Sequence, residues 1–245
     1  MSGITEPDPA FPATRVSILD NLAASSLETR RDAFDLLARA YWKPLCGYAR
    51  IRWSRGSGDA EELVQGFLAV AWEKEYFRSF DPVRSRFRTF LRVCFDRYIM
   101  VRRREENSLR RGGGKEFLSW DAVEELSMSG FSEASTAEKL DELFDWEFKR
   151  ELFRHTTGQL ETELRSRGKE IVFQVFTRRE LAEEPAPGYA ELAAEFGVSV
   201  AQITNFLHAA RKRFRELVLT RLRELSHSHD EFRQEVWSLL GIRID

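Results

Sequence analysis

Apolar positions recur along this chain at spacings of three and four, and no stretch alternates with the period of two expected of a half-buried strand. Residues 17–24 and 28–39 carry Ile18, Leu19 and Leu22, then Phe34, Leu36 and Leu37, and predict two helices. Residues 41–51 predict a third through Trp42, Leu45, Tyr48 and Ala49, with Pro44 expected in its first turn, where a missing N–H costs nothing. After a glycine-rich loop at 55–58, Asp59 is placed to cap a strong helix over 59–77, with acids in its first turn where the helix dipole favours them. A loop at 79–85 leads to a helix over 87–103 with Phe90, Leu91, Cys94, Phe95, Tyr98 and Val101 inward.

The pattern fades over 105–139, which holds Gly112, Gly113, Gly114 and several serines. Its acids, among them Glu116, Asp121, Glu124, Glu125, Glu133 and Glu138, outnumber its lysines. That composition predicts a flexible acidic linker, with a short helix around 122–126. Helical spacing resumes over 140–167 through Leu143, Phe144, Trp146, Phe148, Leu152, Phe153, Leu160 and Leu164. Residues 170–181 open with a β-branched run that period alone allows as a strand, but their helical neighbours favour a helix. Residues 230–240 form a last amphipathic pattern through Phe232, Val236, Trp237 and Leu240. The expected fold is therefore all-α. It has a disordered N-terminus (1–13), a helical domain (14–104), the acidic linker (105–139) and a second helical domain (140–245).

The most informative stretch lies at 188–219. A short helix over 189–196 turns Leu192, Ala193 and Phe196 inward, and Gly197 follows as a residue able to take positive φ. Ser199 stands where an N-cap belongs, and a long helix from Val200 buries Ile203, Phe206 and Leu207. Two helices crossing at a glycine turn predict a helix-turn-helix. The outward face of the second helix carries Gln202, Thr204, Asn205, His208, Arg211, Lys212 and Arg215. Amide and hydroxyl groups near its start can read base edges, and the cluster Arg211, Lys212, Arg213 can neutralise phosphates. The bland reading of the same pattern is a helical hairpin with a solvated basic face.

Charge sharpens this picture through its distribution. The 245 residues carry a formal net charge of only −2, yet residues 200–223 hold Arg211, Lys212, Arg213, Arg215, Arg221 and Arg223 against Glu216 alone. Residues 86–104 are similarly basic, and local sign decides a binding face. The two cysteines, Cys46 and Cys94, lie in apolar patterns as buried thiols, without the spacing of a zinc site or a disulfide framework. No apolar run reaches the length of a membrane span and residues 1–15 lack a signal-peptide core, so a cytoplasmic setting is expected. His227 and His229 flank Ser228 without a third placed ligand, and no phosphate loop, nucleophile elbow or paired-carboxylate motif appears. Neither catalysis nor a cofactor or metal is expected.

Two constellations stand out in the first half. Residues 59–72 carry Leu63, Val64, Phe67, Leu68, Val70 and Trp72, beside an edge of Asp59, Glu61, Glu62 and Gln65. This is either a bundle helix with a solvated side or a helix that docks on a large partner, with apolar contacts for affinity and acids for orientation. Residues 80–104 interleave Arg86, Arg88, Arg92, Arg97, Arg102, Arg103 and Arg104 with Phe80, Phe87, Phe90, Phe95 and Tyr98. Arginines can track a nucleic-acid backbone and rings can stack on unpaired bases. Most of those rings also fit a core stripe, which leaves the loop residue Phe80 as the candidate base contact.

In order along the chain, AYWKPLCGYAR (40–50), DAEELVQGFLAVAWEK (59–74), FDPVRSRFRTFL (80–91) and GYAELAAEFGVSVAQITNFLHAARKRF (188–214) resemble bacterial RNA polymerase sigma factors of the extracytoplasmic-function group. The resemblance covers residues 14 to about 219. It implies a promoter-recognition subunit whose partners are core RNA polymerase, promoter DNA and an anti-sigma factor or other regulator. It implies polymerase contacts from Asp59, Glu62, Leu63, Gln65, Phe67 and Trp72. Minus-ten recognition would fall to Phe80, Arg86, Arg88, Arg92, Arg97 and Arg103. Minus-thirty-five reading would fall to Ser199, Gln202, Thr204, Asn205, His208, Arg211, Lys212 and Arg215, and the acidic linker would run through the RNA exit path. Gly66 stands where an acid is common in this group, Phe90 where tryptophan is, and Arg97 where asparagine is. Asn205 and His208 also depart from the group, so no base preference transfers. The competing expectation is a helix-turn-helix regulator that acts as a dimer without polymerase.

Overall fold

The computed structural model describes residues 18–22, 24–53, 56–110, 134–182 and 185–244, and every regular element among them is helical. The expected disordered N-terminus, residues 111–133 of the acidic linker and the short helix at 122–126 lie outside the described residues. Among those described, no helix is long and apolar enough to cross a membrane.

Helix α1 (Ile18–Leu22) leads into α2 (Leu27–Trp53), which merges the two helices expected over 28–39 and 41–51. Pro44 therefore sits inside a helix and not in a first turn. An interior proline forgoes one backbone hydrogen bond and costs about 3 kcal/mol. The continuous burial from Pro44 to Ala49 offsets that cost, because this turn of α2 has core on every side. Helix α3 (Ser57–Glu73) starts earlier than expected: its N-cap is Gly56, and Asp59 lies in the first turn. It also stops short of residue 77. Glu75 takes a left-handed conformation (φ 51°), its carboxylate held by Arg30 at 2.7 Å and Arg78 at 2.6 Å, and a 3-10 turn follows at Tyr76–Ser79.

Helix α4 (Phe87–Arg110) overruns the expected boundary, and α5 (Ala134–Ser166) begins before it, so both ends of the expected linker are helical. The residues concerned include Arg104, Glu105 and Lys139, good helix formers for which the weak apolar period gave no signal. Phe87, Leu91, Phe95 and Ile99 of α4 are at most 1% exposed and meet Leu45, Phe67 and Phe144 in one core. Two glycines permit the close approaches. A Cβ on Gly66 would strike the Tyr98 hydroxyl, and one on Gly47 would strike the Glu147 carboxylate. Gly66, a departure from the resembled family, thus has a packing reason between α3 and α4.

Helix α6 (Glu170–Glu180) is helical despite its β-branched start, since Val172, Phe173, Val175 and Phe176 form a stripe that α5, α7 and α8 cover. Helices α7 (Tyr189–Phe196), α8 (Val200–Leu225) and α9 (His229–Leu240) complete the described chain. The first half of α5 (Leu140, Phe144, Phe148, Leu152) shares its cluster with α1–α4, with Val218 and Leu222 of α8, and with Phe232, Val236 and Leu239 of α9. The second half (Leu160, Leu164) packs with α6 and with Ala210 and Leu217 of α8. The core residues on the two sides of 105–139 therefore lie in one cluster.

Buried polarity ties the elements together. Asp96, with no exposed surface, accepts hydrogen bonds from the Tyr48 hydroxyl at 2.8 Å, Trp53 Nε1 at 3.0 Å and Arg92 Nη1 at 3.0 Å. Glu231 of α9 accepts from the backbone N–H of Phe87, so a distant carboxylate caps one orphan amide at the positive end of α4.

Candidate nucleic-acid interface

Helix α8 divides cleanly into two faces. Ile203, Leu207, Ala210 and Leu217 are buried against α6, α7 and α5. Ser199, Gln202, Thr204, Asn205, His208, Arg211, Lys212 and Arg215 are all exposed. The start of the helix is held by local bonds. Gly197 adopts the positive φ of 64° that ends α7, and Ser199 Oγ accepts from Gln202 N at 3.2 Å. Gln202 Oε1 in return accepts from Ser199 N at 2.9 Å. This reciprocal cap uses the Gln202 side chain, which the sequence reading assigned to base edges; the S-x-x-Q spacing was the available signal for it. Thr204 Oγ1 likewise donates to the carbonyl of Val200 at 3.0 Å. Ser199→Ala is expected to cost about 1 kcal/mol and to lower the thermal midpoint by about 2–4 °C, read by circular dichroism.

The basic cluster separates by direction. Arg211 grips Glu180 of α6 (Nη2 to Oε1, 2.5 Å) and the Tyr189 hydroxyl of α7 (3.3 Å). Arg213 turns away to make a bidentate pair with Glu163 of α5, both bonds 2.7 Å. Lys212 and Arg215 make no ion pair among the described residues and, with Asn205 and His208, form the unoccupied polar and cationic stripe.

The arginines expected to hold single-stranded DNA are placed differently. Arg88 and Arg92 are 1% and 2% exposed, which removes them from any open face. Arg88 pairs with Asp145 of α5 at 3.1 Å and with Glu235 of α9, its guanidinium 4.9 Å above the Phe148 ring. Arg92 pairs with Asp141 at 2.7 Å and Asp96 at 3.0 Å, and Arg86 with Asp145 at 3.3 Å. Burial pushes the Glu235 carboxyl above the usual carboxylate range, against the pull of Arg88. Phe80, read as a loop base contact, is half-buried, its ring packed on Phe87 at 5.2 Å and Phe90 at 5.4 Å. Arg97 is half-buried, and Arg103 donates to the Trp53 carbonyl at 3.3 Å and covers its ring at 4.5 Å. These six side chains do not share one surface. Apart from Asp96, four residues along α4 from Arg92, the acids that sequester these arginines come from α5 and α9, and no local pattern announces them.

The expected polymerase-docking residues also divide. Leu63 and Phe67 are 5% and 0% exposed and belong to the core; the Phe67 ring lies 5.1 Å from Phe95. They have no surface to offer a partner. The apolar excess of α3 is explained by its three neighbours, α2, α4 and the 3-10 turn. Trp72 is half-buried against Phe34 at 5.1 Å and Arg30 at 5.7 Å. Asp59, Glu62 and Gln65 remain exposed, with Glu62 paired to Arg102 at 3.0 Å. No protein-family model, curated protein or solved structure matches this chain.

Proposed function

We propose that this chain is a sigma factor: it binds core RNA polymerase, recognises promoter DNA and directs initiation, with no catalytic chemistry of its own. The observation that carries the reading is the outer face of α8, where every expected duplex-contacting position is exposed on a rigid, capped helix. In this reading α7, the turn at 197–199 and α8 form a helix-turn-helix. Asn205 and His208 meet base edges, while Lys212 and Arg215 meet phosphates. The exposed edge Asp59, Glu62 and Gln65 of α3 supplies the polymerase contact. The strand-holding stretch is closed in this form, because Asp141, Asp145 and Glu235 occupy Arg86, Arg88 and Arg92. Phosphate binding there requires α5 and α9 to withdraw.

The deciding experiment is a pull-down with core polymerase followed by run-off transcription on genomic fragments. The expected result is a complex that initiates at discrete sites, weakened when Asp59, Glu62 and Gln65 are together replaced by alanine. A protein that never joins polymerase, or joins it without directing initiation, overturns the reading. The burial of Leu63, Phe67, Arg88 and Arg92 favours a second reading, a dimeric helix-turn-helix regulator that needs no polymerase. That protein would bind duplex DNA unaided and sediment as a dimer.

A further inference from the structure

A cleft of about 510 Å³ lies where α2, α5 and α8 meet, remote from the outer face of α8. Its volume falls within the roughly 300–1,000 Å³ of small-ligand sites. Its floor is apolar, built from Trp42, Phe148, Leu152 and Leu225. Its walls are cationic: Arg39, Lys43, Arg154 and Arg221 line it, with Glu151 as the acid among the lining residues. Two of these cations are already satisfied, Arg154 by Glu151 at 2.5 Å and Arg221 by Glu224 at 3.0 Å. Arg39 and Lys43 make no ion pair among the described residues. They stand four residues apart on α2, where like charges repel. Leu36, on the same stripe of α2, leaves 44% of its surface exposed at the cleft. One molecule with an apolar body and an anionic end would relieve both features.

We propose that this cleft binds a small amphiphilic anion free in solution, a carboxylate on an alkyl or aryl body. The body lies over Trp42 and Leu152, and the carboxylate pairs with Lys43 and Arg39. Because α2 and α5–α8 come from opposite sides of the 105–139 stretch, the occupant strengthens their association. The site stands apart from the proposed transcriptional role and survives its failure.

The test uses the full chain and two fluorescent probes of similar shape. Anilinonaphthalenesulfonate carries the anion, and N-phenylnaphthylamine lacks it. The sulfonate probe should saturate one site per chain and be displaced by decanoate but not by decanol. Arg39→Glu with Lys43→Glu should weaken the sulfonate probe about tenfold or more, while the uncharged probe binds as before. Ala40→Phe, which fills the cleft, should abolish both. Circular dichroism melts confirm folding, and Arg39→Gln with Lys43→Gln replaces the reversal if that variant unfolds. Sulfonate binding that never saturates, or that is indifferent to Arg39 and Lys43, overturns the proposal. So does equal displacement by decanoate and decanol.

Discussion

Asp96→Ala is expected to lower the thermal midpoint by roughly 6–20 °C. The carboxylate has no exposed surface, and three donors from two helices converge on it. Alanine leaves the Tyr48 hydroxyl, the Trp53 indole N–H and one face of Arg92 buried without an acceptor. Breaking a buried charged pair costs about 3–5 kcal/mol, and each kcal/mol moves the midpoint of a chain this size by about 2–4 °C. Asp96→Asn retains a carbonyl oxygen for Tyr48 and Trp53 and leaves Arg92 to Asp141 alone, so its loss should be smaller. The measurement is a circular dichroism melt of the three proteins side by side. An alanine variant that melts with its parent would show that water or a neighbour satisfies the donors, and that α2 and α4 are held by apolar packing only.

Duplex DNA binding should collapse when Lys212 and Arg215 are both replaced by glutamate, with the fold unchanged. Both side chains are exposed and make no ion pair among the described residues, so their replacement breaks no internal ion pair. In the proposed reading each phosphate they neutralise would release condensed counterions, and the slope of log affinity against log salt should fall by about one per lost contact, or about two for the pair. Arg213→Ala is the internal control. Its guanidinium is committed to Glu163, so it should lower stability and leave the salt slope intact. Fluorescence anisotropy over a salt series on a mixed-sequence duplex reads both. If Arg213→Ala changes the slope and the double reversal does not, the DNA-facing side of α8 is misassigned.

The helices, their apolar faces and the turn at Gly197 were legible because each depends on residues within a few positions of one another. The Ser199 cap was legible for the same reason, and the exposed stripe of α8 followed from helical spacing alone. The α4 stretch was harder. Arginine interleaved with phenylalanine reads equally as a nucleic-acid face or as a core helix with buried pairs. The choice depended on Asp141, Asp145 and Glu235, which arrive from other helices. Likewise the surplus apolar positions of α3 fit a docking surface or a bundle helix equally by spacing, and only α2 and α4 on either side of it decide for the core.

The sequence alone determined an all-helical chain and the amphipathic, capped helix that bears the exposed polar and basic stripe, since helical period and capping are local chemistry. Tertiary structure alone decided which charges are free. It spent Arg88 on Asp145 and Glu235, Arg92 on Asp141 and Arg213 on Glu163, and left Lys212 and Arg215 open. It also gave α9 its work, with Glu231 at the start of α4 and Glu235 beside Arg88. The physical reason is that a charge is fixed by whatever lies within a few ångströms in space, and for these residues that neighbour is far away along the chain.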